Sequence, residues 1–154
     1  MPHNNGQKWF MFPNLHDGVS HKLAQDNLSF QFYEVDDDVT CINVWDTNVT
    51  GRFACKNHKC KSKGWPSKKI AVTIRMYSEA QYNVRVYSQR CRTCNSLSRP
   101  RLDAQVYVDR VTYRLKKWSG LHVEPPPFSG EHRGDHETRL CEGCRAGHCT
   151  MGNV

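Results

Sequence analysis

Eight cysteines carry most of the chemistry legible in this chain: Cys41, Cys55, Cys60, Cys91, Cys94, Cys141, Cys144 and Cys149. Cys91-Arg-Thr-Cys94 and Cys141-Glu-Gly-Cys144 are CxxC pairs. Cys55 and Cys60 are separated by four residues, as are Cys144 and Cys149. Two thiolates at such spacing grip one tetrahedral ion from a tight turn, and two such turns complete four ligands. A disulfide scaffold is the competing reading for an even cysteine count, but it belongs to secreted proteins. The N-terminus MPHNNGQKWFMFPN lacks the charged start and apolar stretch of a secretory signal. A thioredoxin-type redox pair is disfavoured, because no βαβ pattern surrounds either CxxC. Structural zinc is therefore the expectation, with an intracellular, cytoplasmic or nuclear location.

Eight ligands fill two ions: Cys55, Cys60, Cys91 and Cys94 on one, His136, Cys141, Cys144 and Cys149 on the other. A crossed partition, with the third cluster docked on the first, is equally compatible with the spacing. His58, inside the first turn, and His148, beside Cys149, compete as ligands. Cys41 stands apart and reads as a lone buried thiol within a strand. Four protein ligands per ion leave no open position for water. The chain has no phosphate-cradling glycine loop and no HExxH, and neither CxxC follows a proline as in zinc deaminases. No enzymatic activity is expected.

Charge is concentrated. Residues 1–50 carry a net −5, residues 51–101 a net +12, and residues 102–154 a net of zero. Such a footprint suggests a polyanionic partner, RNA or single-stranded nucleic acid. The candidate contacts are Lys59, Lys61, Lys63, Trp65, Lys68, Lys69, Arg75, Arg85, Arg90 and Arg92, with Tyr77, Tyr82 and Tyr87 as further rings. Cations would neutralise phosphates and exposed rings would stack on bases. The alternatives are a solvated strand edge blunted by lysine, a core role for Trp65, and a protein-interaction adaptor. No run approaches the roughly 18 apolar residues of a membrane span.

The elements that must position these groups follow from periodicity. Residues 69–77 and 82–90 alternate apolar and polar positions around a short connection and predict a hairpin. That hairpin joins the Cys55/Cys60 turn to the Cys91/Cys94 turn, which is the arrangement of a zinc ribbon. Residues 28–34, 39–46 and 49–55 predict further strands, the last two joined by a turn at 46–48. Residues 9–26 predict a helical region with Trp9–Phe12 as an apolar lead-in. The run Asp36-Asp37-Asp38 predicts a turn. Tyr107, Val111, Leu115 and Trp118 predict a helix over 103–118, capped by Asp103 and stopped at Gly120, with Arg110, Arg114 and Lys117 on a solvent face. The tail from His132 to Cys149 is too polar to fold by burial and must be ordered by metal or stay loose.

The fold class is α+β: a zinc-ribbon-like antiparallel sheet and hairpin with one or two short helices, stabilised by structural zinc. Its parts are an N-terminal helical and strand extension (1–38) packing on the core and a zinc-binding domain (39–150). The latter divides into a basic ribbon (39–101), a helix (102–120), a Pro/Gly connector (121–135) and a C-terminal zinc module (136–150).

Five stretches resemble one known family: Gly51-Arg-Phe-Ala-Cys55; Cys60 followed by Gly64-Trp-Pro-Ser67; Tyr87-Ser-Gln-Arg-Cys91-Arg-Thr-Cys94-Asn95; Tyr107-Val-Asp-Arg110 through Leu115; and His136-x4-Cys141-Glu-Gly-Cys144-x2-Gly147-x-Cys149. From about residue 39 to 150 the chain resembles the 3CxxC-type zinc finger domain, especially its fungal members. Animal relatives include the zygote arrest and receptor-transporting proteins. The resemblance implies structural zinc and, beyond it, RNA binding or the escort of membrane receptors.

Overall fold

The computed structural model describes residues 7–126 and 137–149. Its centre is an antiparallel hairpin of β4 (Trp65–Tyr77) and β5 (Gln81–Tyr87). Glu79 and Ala80 in the connection take φ of 63° and 55°, the left-handed conformation that tight hairpin turns require. The predicted strand over 82–90 ends at Tyr87, and a separate short strand, β6 (Gln89–Arg90), follows it.

β3 (Asn43–Phe53) lies antiparallel to β4 along its length. The sequence suggests two strands broken at Asp46-Thr47-Asn48, yet the strand is continuous and irregular only between Val49 and Gly51. Tertiary contacts override the turn propensity of these residues. Thr73 Oγ1 donates to Asp46 Oδ1 at 2.7 Å, and Thr47 and Asn48 are buried. Beyond the irregularity, β8 (Pro100–Leu102) pairs with the other edge of β3 at Gly51–Phe53. A Cβ on Gly51 would lie 2.5 Å from the Arg101 carbonyl oxygen, so the approach of β8 requires glycine there.

The free edge of β5 is shared. β1 (Trp9–Phe10) pairs antiparallel with Val86 and Tyr87, and β2 (Gln31–Phe32) pairs parallel with Gln81 and Tyr82. The N-terminal lead-in is therefore a strand, and the predicted strand over 28–34 contributes only two residues to the sheet. Between β1 and β2 a 3-10 turn (Pro13–Leu15) leads into α1 (His16–Ala24), which buries Val19 and Leu23. The Asp36–Asp38 segment forms a turn, with Asp37 Oδ1 accepting from the backbone of Val39 and Thr40.

α2 (Ala104–Trp118) matches its predicted bounds. Asp103 Oδ1 accepts from the amides of Gln105 and Val106 at 3.0 and 3.2 Å. At the other end, Gly120 has φ 89°, and the amides of Gly120 and Leu121 return to the carbonyls of Lys117 and Lys116, a Schellman closure.

The strand period of two separates the sheet into two covered faces. Val49, Ile70, Val72, Ile74, Val84 and Val86 pack with α1 and with Tyr107, Val111 and Leu115 of α2 in the main core. Ala71 and Tyr87 face the other way and pack with Cys141, beside Trp9, Cys144 and Cys149. Burial on both faces explains two corrections to the expected solvent face of α2. Arg110 is buried and donates to the Asn48 carbonyl at 2.7 Å, and Arg114 is buried with its guanidinium 3.6 Å from the centre of the Trp45 ring. Cys41 differs too: it precedes β3 and is half-exposed, not buried inside a strand.

Candidate metal centre

The first cluster forms where the two ends of the hairpin meet. β3 leads into the turn carrying Cys55 and Cys60, and the chain re-enters β4 through Gly64. Gly64 has φ +94°, and a Cβ there would lie 2.2 Å from the Phe53 carbonyl oxygen. On the other side β6 pairs with β7 (Leu97–Ser98) to enclose Cys91–Cys94. The Asn95 amide donates to the Cys91 carbonyl at 2.7 Å, and the Cys91 amide to the Ser96 carbonyl at 2.9 Å.

The four sulfurs all lie within 4.8 Å of one another. Cys55 Sγ is 3.4 Å from Cys94 Sγ, and Cys60 Sγ is 3.8 Å from Cys91 Sγ. These separations are far beyond a disulfide bond. Sulfurs bound at about 2.3 Å to a tetrahedral zinc stand roughly 3.8 Å apart, so the cage fits that ion. Burial, with the neighbouring thiols adding to it, pushes the Cys55 thiol up to about 12. Hydrogen bonds from Ser96 hold Cys94 down to about 6. Left to themselves the four groups resist becoming four thiolates together, and a divalent cation supplies the missing charge compensation.

The second cluster is Cys141, Cys144 and Cys149, again within 4.8 Å of one another. A 3-10 turn (Thr138–Leu140) and the short helix α3 (Glu142–Arg145) carry it. The Cys144 amide donates to Cys141 Sγ at 3.4 Å, which tightens the CxxC turn. Contact with Cys149 and burial push the Cys141 thiol far up, and burial raises Cys144 to about 11. The two clusters are separate groups of ligands, so the crossed partition is not what forms. His136, expected as the fourth ligand here, lies outside the described residues. His148 is not in the cluster: its Nδ1 sits 2.9 Å from Asp46 Oδ2 and its ring stacks on Tyr87, centroids 5.8 Å apart. His58 is exposed in the first turn and joins neither cluster.

Two acidic residues that the sequence did not single out hold the second module in place. Glu142 is buried, and its Oε2 accepts from Arg90 Nε at 2.9 Å. Its amide donates to the Ser88 carbonyl. Asp46, on β3, holds His148. An isolated acid inside an alternating strand is the faint sequence signal for Asp46; Glu142, inside a CxxC, had none.

The ten proposed nucleic-acid contacts divide sharply. Lys59, Lys61, Lys63, Lys68 and Arg92 are exposed around the first knuckle. Lys69, Arg75 and Arg85 are buried and do not present charge to solvent. The period of two turns them onto the second face of the sheet, where Arg75 and Arg85 both donate to Asp36 Oδ1, at 2.7 and 2.8 Å. Tyr77, Tyr82 and Tyr87 are buried as well and offer no free ring for stacking. Arg90 is half-buried and engaged by Glu142 and the Asn95 carbonyl. Trp65 is half-buried; its ring stacks on Phe53 at 5.2 Å, and its Nε1 donates to Gln89 Oε1 at 3.0 Å.

Among the described residues, no helix is long and apolar enough to cross a membrane. A family model described as a zinc-binding domain, the 3CxxC zinc ribbon, matches residues 48–147. No curated protein and no solved structure matches the chain. The matched segment begins on β3 and takes in both halves of the four-cysteine cage, α2, and two of the three clustered cysteines beyond it, and the chain belongs to the 3CxxC zinc-ribbon family of zinc-binding domains.

Proposed function

We propose that this zinc-binding domain is a non-catalytic binding module for RNA or single-stranded nucleic acid, acting through the first metal knuckle. One observation carries the reading. Lys56, Lys59, Lys61, Lys63 and Lys68 are exposed on and beside one knuckle, and among the described residues none of them forms an ion pair. Charge left uncompensated on a rigid scaffold is what counterion exchange with a phosphate backbone requires. A four-thiolate cage with no open position supports a structural ion. Polythiolate sites persist in reducing compartments, which supports an intracellular, cytoplasmic or nuclear, protein.

The test is fluorescence anisotropy of the zinc-loaded chain with a mixed single-stranded RNA pool across a salt series. About five phosphate contacts give a log–log slope near −3.5. The triple substitution Lys59→Ala, Lys61→Ala, Lys63→Ala then flattens the slope by about 2. Absence of binding near physiological salt, or equal binding by the chelated chain, sinks the reading.

A second reading, a protein-interaction adaptor or escort, rests on Val35, Val39, Ile42 and Val44, large apolar residues left exposed in one acidic stretch of chain. It predicts a partner whose binding is nearly insensitive to salt and is weakened by Val39→Asp.

A further inference from the structure

A groove of about 390 Å³ opens between the first knuckle and the C-terminal module. That volume lies within the range of small-ligand sites. Trp65 borders it, with Phe53 backing the indole at an interplanar angle of 15°. Ser67 also lines it, and its Oγ accepts from Gln89 Nε2 at 3.0 Å and from the Lys69 amide at 3.2 Å. With both lone pairs occupied, the Ser67 hydroxyl retains its hydrogen to donate. Across the groove Arg92 Nη2 donates to Glu137 Oε1 at 2.6 Å. The Arg92 side chain is 70% exposed, and exposed ion pairs of this kind are weak, so an incoming ligand can separate them. Arg92 would then be free for a phosphate, and Glu137 Oε1 for a donor such as an exocyclic amine, while Arg139 Nε stays 3.8 Å from Glu137 Oε2.

An aromatic wall, a hydroxyl donor, a carboxylate acceptor and a cation at the mouth are what an unstacked nucleobase with its flanking phosphate uses. A phosphate alone would meet the Glu137 carboxylate, and an apolar side chain would leave Ser67 and Glu137 unused. The groove is continuous with the lysine-bearing knuckle through Ser62 and Gly64. We infer that this groove takes one splayed-out base of a bound single strand, beside Trp65, while the adjoining phosphates run over Arg92 and the knuckle lysines. The inference rests on the nucleic-acid reading and deepens it.

Two probes test it in the zinc-loaded full chain: a labelled single-stranded RNA and an abasic strand of the same length. Thr93→Trp fills the groove from an exposed position that ligates no metal, and its zinc content is measured to confirm an intact knuckle. The expected result is RNA binding weakened about tenfold by Thr93→Trp, with an unchanged salt slope. The abasic strand binds wild type about tenfold more weakly than RNA and is indifferent to the substitution. If RNA and the abasic strand bind equally, or Thr93→Trp leaves RNA affinity unchanged, the groove holds no base and only the phosphate surface stands. If wild type binds no RNA at any salt, both the groove and the nucleic-acid reading fall.

Discussion

The guanidinium of Arg75 lies inside the protein and donates through Nη2 to Asp36 Oδ1 at 2.7 Å. Arg85 reaches the same oxygen, Arg75 Nε donates to Asn83 Oδ1 at 2.8 Å, and Trp9 Nε1 donates to Asp36 Oδ2 at 2.8 Å. The N-terminal segment is thereby pinned to the second face of the sheet by one carboxylate. Burial alone would raise the Asp36 pKa, but the hydrogen bonds from Arg85 and Arg75 outweigh it and hold it below the ordinary aspartate value.

Asp36→Asn removes the counter-charge of Arg75 and leaves Arg85 only the more distant Asp38, at 3.9 Å. The expected cost is about 2–3 kcal/mol at pH 7, read from urea unfolding of the zinc-loaded chain. A depressed carboxylate stabilises the fold above its unfolded pKa and loses that contribution as pH falls through its folded value. The gap between wild type and variant therefore narrows below about pH 4. A constant gap across that range would show that the carboxylate charge contributes nothing.

The C-terminal module depends on close approach at Gly143. A Cβ there would lie 2.4 Å from Ala71 Cβ and 3.5 Å from Cys141 Sγ. Gly143→Ala is expected to cost about 1–3 kcal/mol by overpacking and to speed zinc loss from the second cluster to a chelator. Gly147 has φ +79°, and a Cβ there would meet no atom within 4 Å, so Gly147→Ala costs only the left-handed backbone, about 1 kcal/mol.

Metal stoichiometry separates the clusters. Wild type is expected to release two zinc ions per chain when its thiols are titrated with a mercurial reagent. Cys94→Ser removes one ion and leaves the second, and Cys149→Ser does the converse. Because each structural zinc contributes on the order of 10 kcal/mol of apparent binding energy, loss of the first ion should also collapse the β6–β7 knuckle, visible as lost amide protection at Cys91 and Asn95. Release of a single ion by wild type would contradict two independent sites.

Gly64 tests the first turn without touching a ligand. Gly64→Ala places a carbon 2.2 Å from the Phe53 carbonyl oxygen at a φ of +94°. Weakened zinc retention by the first cluster, with the second unaffected, is the expected outcome by metal-release kinetics.

The sequence alone picked out the cysteine pairs able to bind metal, the central hairpin and α2. These depend on short-range spacing: Cys55 to Cys60, Cys91 to Cys94, the alternation from Ile70 to Ile74, and the cap-to-glycine span from Asp103 to Gly120. Periodicity reports which residues share a face, but not what covers that face. Arg75, Arg85, Arg110 and Arg114 look solvated in a pattern that is polar on alternate positions, and they are buried because the Asp36 segment and β3 supply partners from distant parts of the chain. The same limit made Asp46-Thr47-Asn48 look like a turn, until Thr73 and the packing on both faces of β3 held it extended. Only the tertiary structure assigned the cysteines to two separate clusters and tied the second to the first through Glu142 and Arg90. Ligand type is a local property of residues and spacing. Which ligands meet is a consequence of how the sheet is covered on each face.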